Sequence, residues 1–502
     1  MTLNRRTFIA TLAALSAAPA VARDELVVSE TPFSREWLVA EAERLAKSPH
    51  VPAPDVPEAW RKLTYDQYKS IWFNSQKAIW ADEARALQLD LFAAGLFFKH
   101  PVEVSIVESG VARTLGFDIS LFDKTDKFPD LPVEDMGYSG IRLRAELHKR
   151  GIFEEFMVFQ GASYFRMIGN GQTYGLSARG LALRTGDDAG EEFPEFTRFW
   201  VETAPAGAET FTVHALLDGP SVCGAYTFVI TPGMPARVEV TVTLFARVAL
   251  DHVGLAPLTS MFLFDETNRH RFDDFRPAVH DSEGLLIHNG NGEVLWRALA
   301  NPAALQFSSF VDDNPKGFGL MQRNRRAEDY ADLEAQYEKR PSLWIIPRGD
   351  WGPGTVRLVE IPADREIYDN IVAYWLPHAQ YAAASRHDFA YGMEWGDNPT
   401  DLPDVAKVTN TRIGKGFDQL KTVVTIDFAD HPGIAGDLND LVVRLGGRND
   451  LEPAVVQRNP GTGGVRVALS LQPGEERAIE LRAQIFRDGT PVSEVWLYRW
   501  TA

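Results

Sequence analysis

From about residue 100 onward, apolar and polar residues alternate with a period of two. Ile141-Arg142-Leu143-Arg144-Ala145-Glu146-Leu147 shows it most plainly, and residues 237–244 repeat it. Such alternation marks strands with one buried face. Turn-forming groups, among them Gly169-Asn170-Gly171, Gly186-Asp187-Asp188 and Pro232-Gly233, punctuate the runs, so the segment predicts a large antiparallel β domain. Ahead of it, residues 34–47 carry apolar positions at helical spacing (Trp37, Leu38, Ala42, Leu45) behind a Ser34 cap. Residues 64–98 predict one or two more short helices. A Glu-, Ala- and Leu-rich stretch over 327–339 predicts a helical excursion above a sheet.

After an alanine-rich stretch at 379–387 the alternation returns in short runs at 389–395, 423–428, 441–445, 465–471, 477–486 and 495–500. A series of short strands without helices suits a small immunoglobulin-like sandwich. The expected organisation is a leader over 1–22, a large β-sandwich over 23–380 and the small sandwich over 381–502.

Two strand-flanked aspartates stand out. Asn289-Gly290-Asn291-Gly292 between apolar runs signals a tight hairpin, because Asn and Gly tolerate positive φ. Asp281 sits just before that hairpin. Asp369 opens the apolar run 371–375, joined to the run 356–361 by the polar link Asp364, Arg365, Glu366. Glycoside hydrolysis needs two carboxyl groups of this kind, one protonated to serve the leaving oxygen and one ionised. Residue types alone give both aspartates turn roles. Other acids lie close by and are alternatives for the ionised member, Asp265, Glu266, Asp273, Asp274, Glu283, Asp312, Asp313, Asp350 and Glu360, with Asp273 and Asp274 the closest rivals.

Composition narrows the field. Lys and Arg total 51 against 69 Asp and Glu, a formal net charge of −18, which disfavours nucleic acid and anionic membrane as partners. The N-terminus, Asn4-Arg5-Arg6-Thr7-Phe8-Ile9 followed by a modest apolar stretch and Ala20-Val21-Ala22, reads as a twin-arginine export signal cleaved after Ala22. It places the mature chain in the periplasm. Cys223 is the only cysteine, so no internal disulfide is expected. HExxH, CxxC and spaced histidine clusters are missing, and no metal or cofactor is expected. Gly-x-Ser-x-Gly is missing too, which disfavours an esterase. Gly169, Gly171 and Gly175 lack the βαβ context of a nucleotide loop.

Long ordered motifs carry a resemblance. GYSGIRLRAELH (137–148), EEFMVFQGASYFRMIGNGQTYGLSARGLAL (154–183), SMFLFDETNRHRFDDFRP (260–277), FRPAVHDSEGLLIHNGNGEVLWR (275–297) and GDWGPGTVRLVEIPADREIYDNIVAYW (349–375) are similar to the periplasmic glucan biosynthesis proteins, OpgG/OpgD or MdoG/MdoD. The resemblance implies a galactose-mutarotase-like twisted β-sandwich followed by an immunoglobulin-like domain. It also implies a role in osmoregulated periplasmic glucan biosynthesis, with β-1,2-linked glucan as partner. Relatives with glucanase activity resemble inverting β-1,2-glucan hydrolases, which implies Asp369 as general acid and Asp281 as general base. Tyr337, on a loop that the resemblance implies closes over the acid, together with Trp344, Trp351 and Arg276, is expected to bind substrate, and Arg348 is a further sugar-binding candidate. The rival expectation is a binding factor without turnover that guides nascent glucan from a membrane synthase.

Overall fold

The computed structural model describes residues 26–133, 136–417, 419–448 and 451–501. The expected leader, with Arg5-Arg6, lies outside these residues. The protein is mainly β, as the period-two pattern predicts, and the strands of the described residues gather into two large sheets, a four-stranded one and two two-stranded ones.

The main sheet has 16 strands and runs from Val27–Pro32 at one edge to Leu441–Gly446 at the other. Its middle is an unbroken antiparallel meander, Glu195–Glu202, Phe211–Asp218, Val222–Thr231 and Ala236–Ala246, which then pairs with Arg386–Gly396. The second sheet has 10 strands, with Gln306–Asp313 at one edge and Leu87–Ala93 at the other. Alternate residues of both sheets point at one another: Leu143, Phe159 and Leu258 from the second sheet meet Phe228, Val240 and Leu343 from the main one. The two faces make one apolar core, the arrangement that lets each sheet bury a face.

The helix Arg35–Ala46 forms where the apolar spacing places it. Ser34 caps it by accepting a hydrogen bond from the Trp37 amide at 3.2 Å. Leu38 and Ala42 pack on the outer face of the main sheet against Trp200, Leu216 and Cys223. Cys223 is thus a buried small residue, and its thiol, pushed up by burial, lies 2.9 Å from Asp218 Oδ1.

The one or two short helices expected within 64–98 take the form of the α-turn Tyr65–Tyr68 and the 3-10 turn Ser75–Lys77, beside the strands Ile71–Phe73 and Leu87–Ala93. The helix expected over 327–339 is corrected. Residues 327–339 hold a single α-turn, Ala327–Tyr330, and a 3-10 turn, Tyr337–Lys339. Tyr330 and Tyr337, seven apart, do share one buried cluster, which imitates a helix face. The backbone between them reverses through left-handed Ala331 (φ 55°) and Gln336 (φ 47°), because the loop is shaped by what it reaches rather than by its own hydrogen bonds.

The chain leaves the main sheet only after Gly396, so the strand Arg386–Gly396 lies beyond the expected start of the second unit at 381 yet belongs to the large sandwich. The C-terminal module then pairs its own four-stranded sheet, Val408–Lys415, Thr422–Phe428, Val465–Leu471 and Val455–Arg458, face to face with strands of the main sheet. Three of those strands, Val495–Thr501, Ala478–Arg487 and Leu441–Gly446, extend the main sheet itself: Val294–Ala298 pairs in parallel with Val495–Thr501. Trp296 and Trp344 from the sandwich share a core with Val424, Ile426 and Trp496 from the module.

One buried ion pair ties the layers together. Arg297, in the main sheet, reaches Glu360 of the second sheet at 2.9 Å, and its guanidinium lies 5.7 Å from the Tyr498 ring of the module. Glu360 also accepts from the Ala300 amide at 2.7 Å. Removing one member of such a pair strands a buried charge. Glu360→Leu is therefore expected to lower stability by about 3–5 kcal/mol, read as the midpoint of urea unfolding. The double replacement Arg297→Met with Glu360→Leu should recover most of the loss.

Candidate functional site

The segment Phe262–Phe264 brings the two aspartates together. It pairs with Val279–His280, and the Asp281 amide donates to the Met261 carbonyl at 2.8 Å. On the other side the Asn370 side chain holds the Phe262 peptide twice, accepting from its amide at 2.8 Å and donating to its carbonyl at 2.9 Å. A third bond from Asn370 reaches the Ile361 carbonyl at 3.0 Å. Asp281 and Asp369, next to these two contacts, thus sit on either side of one backbone unit. Their carboxyls are within electrostatic reach of each other.

Their environments differ. Asp281 is 5% exposed, and burial raises its carboxyl above the ordinary range; the nearby Arg340 guanidinium opposes the rise and the Asp369 carboxylate adds to it. Arg340 Nη1 donates directly to Asp281 Oδ1. Asp369 is open, with a side chain 37% exposed, and Arg166 Nη2 stands 3.7 Å from it. Arg166 is fixed in turn by Ser177 at 2.6 Å.

A lid, residues 323–340, closes over Asp281. Tyr337 lies in it and is buried, and its ring carries the Arg340 guanidinium at 4.2 Å. The Tyr337 hydroxyl donates to Glu366 Oε2 at 3.1 Å. Arg276 clamps the lid to the Asp369 loop by reaching Asp332 at 2.8 Å and Glu366 at 2.7 Å, while its other nitrogens hold Asp274. Gln322 braces the base of the lid by donating to the His280 and Tyr337 carbonyls at 2.9 and 3.2 Å. His280 itself is buried and, pushed down to about 4 by desolvation, neutral.

A second loop meets the lid. The Thr173 amide donates to the Lys339 carbonyl at 3.1 Å, and Gly175 lies so close under Arg340 that an added Cβ would stand 2.8 Å from the arginine Cβ. The buried Tyr174 hydroxyl, Thr173 Oγ1 and Glu338 Oε2 have no partner within the protein. Unpaired buried polar atoms of this kind suit a ligand rich in hydroxyl groups.

Of the expected binding residues, the structure gathers Asp281, Asp369, Tyr337 and Arg276 around the lid. Trp344 and Trp351 lie elsewhere, packed in cores: Trp344 between the sandwich and the module, Trp351 against Trp375, Phe389 and Tyr391. Arg348 pairs with Glu239 at 2.7 Å. Among the rival acids, Glu360 holds Arg297, Asp312 accepts from the Gly290 amide and Asp350 from the Gly352 amide, while Asp274 pairs with Arg276 beside the lid and Asp273 is exposed. Arg340, Arg166 and Asn370 escaped the sequence reading. The one local signal was that Asn370 adjoins Asp369.

Glu283 lies two residues past Asp281, in the link between the strands Val279–His280 and Gly284–His288. It and Asp265 line a small buried cavity at the junction with the C-terminal module, beside Glu266, Asn324, Thr409 and Asn410. Burial pushes each of the two carboxyls up to about 7; Asp265 adds to the rise of Glu283, while Arg323 and the Arg323 and Asn324 amides oppose it.

The family model described as "Periplasmic glucan biosynthesis protein, MdoG" matches residues 33–500. The curated Glucans biosynthesis protein G of Vibrio cholerae serotype O1 is 46% identical over 475 residues, covering 93% of this chain and 87% of the relative. Glucans biosynthesis protein G 1 of Shewanella oneidensis is 45% identical over 474 residues, with the same shares covered.

The junction carboxyls give stability a pH dependence. Both hold protons more tightly in the folded state, so their contribution is present below about pH 4 and lost as pH rises through about 7. Replacing Glu283 with Gln keeps an acceptor for the Asn324 amide and removes the titration. In chemical unfolding at pH 5 and pH 8, Glu283→Gln is expected to shrink the stability difference between the two by about 1–3 kcal/mol.

Proposed function

We propose a chemical step that starts from one fact: the chain belongs to the periplasmic glucan biosynthesis protein MdoG family, and so is a periplasmic protein with a role in glucan biosynthesis. The step is cleavage of a β-1,2-linked glucan with inversion at the anomeric carbon. Asp369 protonates the glycosidic oxygen as the bond breaks. Water attacks from the opposite face and its proton passes to Asp281, directly or through a substrate hydroxyl. With a second sugar hydroxyl in place of water, the same groups perform transfer. An export signal over residues 1–22 and supply of glucan by a membrane synthase complete the reading.

The observation that carries this proposal is the pair of carboxyls set on either side of the Phe262 peptide, one buried and one open. Burial raises the affinity of Asp281 for a proton, while the Arg340 guanidinium favours its ionised form. Asp369 stands open to an incoming glucan. The unpaired buried polar atoms of Thr173, Tyr174 and Glu338 suit sugar hydroxyls.

One observation favours the binding-only reading. A carboxylate tied to a guanidinium is a poor base, so Arg340 must release Asp281 or pass it a proton route when substrate enters. Incubation of the purified protein with linear β-1,2-glucan, followed by analysis of product length, separates the two readings. The hydrolase reading expects shorter chains with new reducing ends. Binding with unchanged chain length would favour the guide. Asp369→Asn is expected to cut the release of reducing ends by about 10²–10⁴-fold with affinity for the glucan kept; retained turnover removes Asp369 from the acid role.

A further inference from the structure

We propose that the C-terminal module is a working part of the site: Glu494 positions the lid through Arg323 and so sets Arg340 over Asp281.

Arg323 is the first residue of the lid, and its guanidinium reaches into the module. Nη2 and Nη1 meet the two oxygens of Glu494 at 2.7 and 2.8 Å, a forked pair that fixes orientation as well as distance. Nη1 also donates to the Val408 carbonyl at 2.5 Å, while Glu494 accepts from the Val408 amide at 2.8 Å. The guanidinium carbon lies 3.7 Å from the centre of the Trp296 ring. Both members are nearly free of solvent, with side-chain exposures of 8% and 1%.

The backbone of the same residue is gripped from the sandwich side. Glu283 accepts from the Arg323 and Asn324 amides and, at 2.7 Å, from the Asn324 side chain. Arg325 then joins the beginning of the lid to its end. It donates to the Glu338 carbonyl at 3.1 Å, to the Arg340 carbonyl, and to Ser342 Oγ at 3.3 Å. Arg340 is the residue on Asp281. Charge-assisted contacts joined by the backbone at 323–325 and at Arg340 therefore run from Glu494 to Asp281. A buried ion pair adds little net stability over an apolar pair of the same shape, whereas a forked one fixes a geometry. Glu494 is a positioning residue, and packing alone does not require its charge.

The activity arm of the test rests on the hydrolase reading above; the lid arm does not. Full-length Glu494→Gln is compared with wild type and with Arg466→Gln, which breaks the Asp427 ion pair elsewhere in the module. Hydrogen exchange is followed in residues 323–340 and in the strands Val294–Ala298 and Val495–Thr501, together with kcat and KM on linear β-1,2-glucan. Glu494→Gln is expected to speed exchange of the lid about ten-fold or more and lower kcat by a similar factor, with KM within about three-fold and the two strands as protected as in wild type. Arg466→Gln should leave lid exchange and kcat as they are. Native lid protection in Glu494→Gln overturns the proposal, as does equal lid loosening in Arg466→Gln. If wild type cleaves no glucan, the hydrolase reading fails and lid exchange alone decides the coupling. If Glu494→Gln loses protection in the two strands, Arg323→Gln measured in the same way decides it.

Discussion

A strand inside a sheet needs a partner at each edge, and Val294–Ala298 finds one of its two in the C-terminal module. The site rests on that pairing. The hairpin that carries Val294–Ala298 begins three residues after Asp281, and its second strand supplies Trp296 and Arg297, one to the core shared with the module and one to the second sheet. An edge left bare there would expose a row of backbone donors and acceptors and open the shared core. The module is thus a continuation of the main sheet, and the border between the two units is a core in its own right.

Charges are buried where elements distant in sequence must meet in one arrangement. Arg297–Glu360 joins the two large sheets, Arg323–Glu494 joins the lid to the module, and Arg340–Asp281 joins the end of the lid to the buried aspartate. Desolvation makes each of them costly, and packing alone would be served as well by apolar side chains. Their value lies in direction: a guanidinium fork accepts a carboxylate in few orientations. The Phe262 peptide works by the same logic with neutral groups, since the Asn370 amide matches its N–H and C=O at once.

Much of the fold was legible in the sequence. Period-two alternation named strands such as Tyr138–Glu146 and Ala236–Ala246, Ser34 its helix, and Asn289-Gly290-Asn291-Gly292 its hairpin, because each of these is decided by neighbours along the chain. The lid was not legible. Tyr330 and Tyr337 repeat at helical spacing, but their burial is dictated by Phe264, Val279 and each other. The aromatic residues Trp344 and Trp351 offered no way to tell a groove from a core, since the same ring serves both. For the two aspartates, local chemistry gave only turns, and the family motifs raised them above that. Their juxtaposition depends on a contact between Phe262 and Asn370 across 108 positions, which no periodicity encodes.

The shared sheet has a consequence for timing. A chain made from its N-terminus presents Asp281, the lid and Asp369 well before Glu494 and the strand Val495–Thr501 exist. Such an intermediate holds both acids but has a bare sheet edge at Val294–Ala298 and nothing to seat Arg323. Completion of the last strand therefore closes the sheet edge and seats the lid in a single event.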